Sequence, residues 1–381
     1  MEFPNIWAEI DLEAIGHNVR ELRRITRPGA RMMAVVKADG YGHGALAVAR
    51  TALTAGADML AVARIGEGIE LRQAGLKAPI LVFGPTLPAF ADGLVAHDLI
   101  QSVTGLEAAR QLNAVARRCG RTIPIHLKVD SGMGRLGLRP RVEQHTELMS
   151  AVAEVDAIAK LGGLRLEGMY THFAAADERD KGYATQQFDI FERFLQALQA
   201  AGIDCGLRHA ANSAAIIDLP QTHLDAVRPG IALYGLYPSP DVDHERIHLK
   251  PALSLKSRLL QVKAVPAGVS VSYGMTWKAP QPTVIGTVAA GYADGIRRNL
   301  SNRGAMLVGG RRVPIVGRVC MDLIMLDLGA GSPAAAGDEV VIIGRQGEET
   351  ITADEIANLL GTINYEVVFT NATRVPRRYL P

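Results

Sequence analysis

Cysteine is scarce: Cys119, Cys205 and Cys320 are the three in 381 residues. An odd number with no CxxC spacing supports neither a disulfide framework nor a zinc site, and a reducing, cytoplasmic setting is expected. Neither sign of charge is in excess, because 41 basic residues against 39 acidic ones leave a formal charge of +2, and the basic ones are dispersed. That balance points away from nucleic acid and anionic membrane as partners and toward a small-molecule substrate. No apolar run is long enough to cross a bilayer, and Met1 to Asn5 lack the basic stretch and apolar core of an export signal, so an unexported protein is expected. Low-complexity tracts, short-period repeats and coiled-coil heptads are missing as well. Apolar residues are plentiful, at 48% of a chain long enough for two domains.

From Met32 onward, short apolar runs alternate with helical patterns. Strands are expected near Met32–Val36, Met59–Ala63, Ile80–Phe83, Leu99–Val103, Ile123–Val129, Leu166–Tyr170, Leu207–Ala210 and Leu224–Val227. Amphipathic helices are expected between them, among them Leu106–Arg118, Val142–Leu161 and Thr185–Ala200. Eight such units predict an α/β fold closed into a (β/α)8 barrel. Ahead of them, Asn5–Asp11 reads as a separate strand, and Leu12, Ile15, Val19, Leu22 and Ile25 mark a helix ended by Pro28-Gly29. After Tyr234-Gly235 the polar, proline-bearing stretch to His248 reads as a linker. A mostly-β domain follows, with strands near Leu253–Val262, Val269–Tyr273, Val284–Val288, Ala305–Val308, Arg312–Val316, Leu323–Leu328 and Val340–Ile343. Gly309-Gly310 signals a hairpin, and Thr352 with Glu355 forms a capping box ahead of a last helix.

One stretch stands out, from Val35 through Lys37 to Gly44, in which a buried strand stops at a lysine and enters a bend carrying Gly40, Gly42 and Gly44. Such a bend lets backbone approach another molecule closely, and the lysine at its mouth suggests covalent capture of an aldehyde, while a solvated lysine ahead of an ordinary βα turn is the other reading of the same residues. Active sites of (β/α)8 barrels lie at the C-terminal ends of the strands. Lys37 ends the first expected strand, Asp130–Arg135 follow the fifth, His172 the sixth, Asn212-Ser213 the seventh and Arg228–Ile231 the eighth. All fall on one rim.

The stretch resembles the pyridoxal-phosphate attachment motif of bacterial alanine racemases, with Gly40 where that family commonly has alanine. The likeness continues in order through Leu127–Gly137, Tyr170–Ala174, Ala211–Ser213, Val227–Ile231, Ser272–Gly274, Gly291–Gly295, Cys320–Asp322 and Ile363–Glu366. It implies a pyridoxal 5'-phosphate enzyme that interconverts L- and D-alanine by two-base proton transfer, for peptidoglycan precursors. It implies a barrel over residues 12–235, with residues 1–11 joining 236–381 in the mostly-β domain. It also implies a homodimer packed head to tail, with shared active sites.

Carried over position by position, the resemblance makes Lys37 the attachment lysine and the base on one face of the substrate. Arg228 would hydrogen-bond the pyridine nitrogen; arginine keeps its proton, so that nitrogen stays unprotonated and transamination is suppressed. Ser213, the amides of Gly230 and Ile231, and the phenols of Tyr41 and Tyr365 would hold the phosphate, although Ser213 equally suits capping the helix that follows it. Tyr273 would be the second base. Its unperturbed pKa near ~10 requires a cation nearby, and His172 is the relay from Arg228. Arg135 would grip the substrate carboxylate, oriented by a carbamylated Lys128. Met321 would offer its amide to that carboxylate, and Tyr292 and Asp322 would line the entrance, where Leu323 replaces a common glutamine.

Two other readings meet obstacles. A barrel decarboxylase is expected to place an acid where this chain has Arg228, and a non-enzymatic pyridoxal-phosphate carrier would end near Tyr234, without Tyr273. Between alanine and a broader or serine-directed specificity the motifs do not decide, because pocket size does.

Overall fold

The computed structural model describes residues 5–369 and 374–381, which form two compact units. One unit comprises Ala14–Gly40 and Ala45–Pro251. Its strands Arg31–Val35, Met59–Val62, Ile80–Val82, Ile100–Val103, Ile123–Lys128, Leu164–Tyr170, Leu207–His209 and Ala226–Val227 form a closed parallel barrel. Pairing of Arg31 with Ala226 and of Met32 with Val227 closes it. Strands such as Met59–Val62, Ile80–Val82 and Ile100–Val103 are buried throughout, which is why most of them are short, largely apolar runs rather than alternating ones, while Leu164–Tyr170 and Leu207–His209 carry the exposed Arg165 and Arg208. Helix Leu106–Arg118 matches its expected bounds, whereas His145–Ala159 starts later than Val142, whose carbonyl receives Arg193 Nη2 at 2.6 Å.

The polar stretch after Gly235 packs with the barrel unit rather than with the β unit, so the division falls at Pro251/Ala252 and not at the expected 235/236. The cause is Asn18 on the first helix. Its amide donates to Leu233 O at 3.1 Å and to Lys250 O at 2.9 Å, and its oxygen accepts from Lys250 N at 2.8 Å. Gly235 permits the approach, since a Cβ there would lie 1.8 Å from Lys250 O.

The second unit gathers Met1–Glu13, Tyr41–Gly44 and Ala252–Pro381; residues 1–4 of its N-terminal segment lie outside the described residues. Its nine-stranded sheet is organised by Leu253–Val265, which pairs with Ile6–Asp11, Glu339–Gln346 and Thr283–Val288. A register shift between Leu259 and Gln261 bends this strand, as a bulge does. Gly309 and Gly310 have φ of 57° and 74° and close the hairpin Ala305–Val308/Arg311–Pro314, the geometry of a type I′ turn. Thr352 caps the helix Ala353–Leu360 by accepting from Glu355 N at 3.0 Å, but Glu355 turns its own carboxylate to Arg312, so the expected box is half formed. The expected strand to Tyr273 stops at Val271: Ser272 has φ 67° and Tyr273–Met275 is a short 3₁₀ turn. Strands Trp277–Lys278, Glu349–Ile351 and Arg377–Leu380 are additional to the sequence reading.

Candidate active site

Lys37 begins a turn of reversed hand. Ala38, Asp39, Gly40 and Tyr41 have φ of 53°, 51°, 60° and 52°, although only one of the four is glycine. Each non-glycine residue in this region costs on the order of 1 kcal/mol, so the turn needs outside support. Glu67 gives part of it, accepting from Ala38 N at 2.6 Å with one oxygen and from Ala63 N and Arg64 N at 2.7 and 2.9 Å with the other. Asp39 adds an acceptor for Ala45 N at 2.8 Å, where the next helix starts. Burial lowers the pKa of the Lys37 amine, the positive charge of Arg135 adds to that, and Glu67 opposes it.

Arg228 is buried at the end of the last barrel strand, at 3% exposure. It donates to His209 Nδ1 at 2.8 Å, to the carbonyls of Thr171 and Ala210 at 2.8 Å each, and to His172 Nδ1 at 3.2 Å. All four acceptors are neutral. Burial pulls its pKa down to about 10, which still leaves it a cation at neutral pH. His172 is held well below the usual histidine range by burial first, then by Arg228, Lys128, Arg135 and Lys37, so these five groups share one electrostatic neighbourhood.

Lys128, 5% exposed, donates to Val129 O at 2.9 Å, and burial with Arg228 and Arg135 lowers its pKa to about 7. Arg135 rides on the loop after this strand. Asp130 shapes that loop by accepting from Gly132 N and Gly134 N at 3.1 and 3.0 Å, and Leu138 N returns to Lys128 O at 2.9 Å. Asn212, not Ser213, caps the helix Ser213–Asp218, accepting from Ala215 N at 3.0 Å. Ser213 Oγ is thereby left to receive Gly230 N at 2.8 Å and Ala232 N at 3.3 Å, on either side of Ile231.

The remaining expected residues belong to the β unit. Tyr41 lies 6.1 Å from Tyr365, centroid to centroid, and burial raises its pKa. This segment clusters with the β unit because Arg377 Nε donates to Gly42 O at 2.7 Å and Gly44 abuts Tyr379, whose hydroxyl would lie 1.9 Å from a Cβ there. Tyr292 N and Ala293 N donate to Cys320 O and Met321 O at 3.0 Å each, fastening the Tyr292 turn to the Met321 loop. Arg374 bridges Asp294 and Asp322 at 2.8 and 2.7 Å. Tyr273 projects from its turn at 69% exposure, over a Ser272 hydroxyl that donates to Arg318 O at 2.6 Å. The sequence reading missed Glu67, Tyr170, His209 and Arg374; of these, only Glu67 had a local clue, standing three residues after a helix-initiating Arg64.

A parallel barrel bearing this rim, joined to a β unit, is an architecture that two family models divide between them. Residues 10–238 match the alanine racemase N-terminal domain and residues 252–379 the alanine racemase C-terminal domain. The chain belongs to the alanine racemase family. It is 54% identical over 374 residues to the alanine racemase of Desulfosudis oleivorans, covering 98% of this chain and 96% of that protein. It is 50% identical to that of Desulforamulus reducens, covering 98% and 99%. Among solved structures, the alanine racemase of Clostridium difficile 630 superposes with a TM-score of 0.93 at 39% identity, covering 100% of this chain and 97% of that one. The Bacillus anthracis enzyme, solved with bound L-Ala-P, gives 0.91 at 39% identity, covering 100% and 96%.

Proposed function

We propose that this protein interconverts L- and D-alanine with pyridoxal 5'-phosphate, acting as a cytoplasmic homodimer and supplying D-alanine for peptidoglycan. The supporting observation is the presence on one barrel rim of Lys37, an amine biased toward its neutral form, and Arg228, a buried cation whose four hydrogen-bond acceptors are neutral.

The donor set fits that cofactor. A neutral amine is what condenses with an aldehyde, and Arg228 offers a pyridine nitrogen an N–H that it does not surrender. Ser213 already accepts two amides, so its own proton is the one available to a phosphate oxygen, with Gly230 and Ile231 beside it. By the resemblance, Tyr41 and Tyr365 would add phenol donors. When bound, the cofactor supplies the electron sink that acidifies the Cα–H of an amino acid.

Lys37 would hold the cofactor and move a proton on one face of the substrate. Arg135, with the Met321 amide, would hold the carboxylate in a bidentate grip. Tyr292 and Asp322 would line the way in. Tyr273 of a second copy would move the proton on the opposite face. Its exposure of 69%, with Met275 at 67% and Met321 at 52%, leaves the β unit an apolar surface of the kind a second copy covers. His172 suits the relay: Arg228 donates to its Nδ1, so its proton sits on Nε2 and can be given in a hydrogen bond that favours a phenolate. A panel of L-amino acids followed by loss of optical rotation tests the reading. The fastest loss is expected with alanine, and none with alanine overturns it.

Lys128 is the carbamylation candidate. Its amine, with a pKa of about 7, adds carbon dioxide as R–NH2 + CO2 → R–NH–COO⁻ + H⁺, which replaces a third positive charge beside Arg135 and Arg228 with a negative one. Labelled bicarbonate should give a carbamate ¹³C signal that Lys128→Ala lacks and that fades as pH drops below about 7, where the amine is protonated and no longer nucleophilic. Lys128→Ala should lose activity and regain part of it with chloride. A plain ammonium at Lys128 in a high-resolution map would remove the idea.

Arg228→Glu should divert turnover toward transamination, since a carboxyl can share a proton with the ring nitrogen where a guanidinium withholds it. Accumulation of pyridoxamine phosphate is the readout. No rise over the parent protein would mean that ring protonation does not govern the side reaction.

A further inference from the structure

The hydrogen bonds behind Arg228 continue into the barrel interior. Arg228 Nη1 lies 2.8 Å from His209 Nδ1, and His209 Nε2 lies 2.9 Å from His126 Nδ1. Arginine only donates, so His209 Nδ1 is an acceptor and carries no proton. The proton of neutral His209 is then on Nε2 and is given to His126 Nδ1, which leaves the His126 proton on its own Nε2. One direction of donation therefore satisfies both bonds.

Three observations show that the rings stay neutral and are held in place. His209 and His126 are 0% and 1% exposed, and burial together with Arg228 depresses both pKa values, so neither ring gains a second proton in the working range. Tyr170 lies flat on His209, centroids 4.7 Å apart at 4°, and is itself fixed through Ser102 Oγ at 2.7 Å. Gly168 makes room for His126: a Cβ at that position would come within 2.7 Å of His126 Cε1 and 2.8 Å of its Nδ1.

We infer that His126 is a positioning residue for the racemase reaction, acting through His209 by accepting its Nε2 proton and so fixing the tautomer that holds the Arg228 guanidinium. This rests on the reading of Arg228 as the donor to the ring nitrogen. Without the acceptor at position 126, the buried His209 Nε2–H has no partner, and the alternative tautomer would set an N–H against the N–H of Arg228. Arg228 then keeps its carbonyls at Thr171 and Ala210 but loses the bond at Nη1.

The test uses holoenzyme labelled with ¹⁵N-histidine and compares His126→Leu, His126→Asn and Gly168→Ala. Asparagine places an acceptor oxygen near the position of Nδ1, while alanine at 168 displaces the His126 ring without altering it. The parent protein should show His209 protonated on Nε2 only. His126→Leu and Gly168→Ala should populate the Nδ1-protonated form and lower kcat with alanine by about tenfold, comparable to one lost neutral hydrogen bond. KM should stay within about twofold, and pyruvate released per racemisation turnover should rise. His126→Asn should recover most of each change. An unchanged His209 tautomer in both perturbing variants, or a changed tautomer with unchanged kcat and pyruvate ratio, overturns the inference. If Arg228→Lys itself leaves kcat and the pyruvate ratio untouched, the reading of Arg228 fails instead, and the tautomer measurement still tells the two failures apart.

Discussion

Lys37→Ala protein mixed with pyridoxal phosphate and treated with borohydride will keep no covalently fixed cofactor, and its alanine racemisation will fall by on the order of 10³-fold or more. Two amines on the barrel rim have depressed pKa values, Lys37 and Lys128. Only Lys37 stands at the mouth of the left-handed turn, where the backbone conformation is held by Glu67 and Asp39. Lys128 is 5% exposed and directed to the Val129 carbonyl, so it does not substitute. Recovery of reduced cofactor on Lys128, or on any other lysine of the parent protein, would show the assignment to be wrong.

Tyr273→Ala should retain the fixed cofactor yet lose Cα deuterium exchange from L-alanine far more than from D-alanine, because only one face of the substrate loses its base. Mixing this variant with an equally inactive Lys37 variant should restore about a quarter of the parent activity. Random exchange makes half of the dimers mixed, and each mixed dimer has one of its two sites with both bases intact. The position of Tyr273 suits delivery to another chain: it projects from a turn stiffened by Ser272 at φ 67°, backed by Gly317, where a Cβ would come within 2.6 Å of Ser272 Cβ. Equal loss of exchange from both enantiomers counts against two bases. No recovery despite verified mixed dimers counts against a shared site.

The barrel was legible because most of its strands are short, largely apolar runs between helical periods, and the rim residues follow once strand ends are known. Lys37, Arg135, His172, Ser213 and Arg228 could therefore be placed on one rim without coordinates. The division at Pro251/Ala252 was not legible, because composition marks residues 236–251 as polar and irregular but does not reveal that Asn18, more than 200 residues earlier, satisfies their backbone. Strand Arg377–Leu380 was missed for a related reason: it carries Arg377 and Arg378 and is defined by pairing with Ile6–Asp11 at the other end of the chain. His209 was invisible as a partner of Arg228, since a histidine in a short strand carries no local sign of what it faces.

The two proposed bases are chemically unlike, a half-buried amine at a strand end and an exposed phenol on a strained turn, while their substrates are mirror images of equal free energy in water. The equilibrium constant is therefore one, and the ratio of kcat/KM in the two directions is fixed at one by the Haldane relation, whatever either base is changed into. No substitution at Lys37 or Tyr273 can bias the enzyme toward one enantiomer at steady state. The asymmetry between the bases is thermodynamically silent in net turnover. It is expressed only in quantities that follow one proton at a time: isotope exchange, kinetic isotope effects, and the separate kcat and KM values whose quotients must agree.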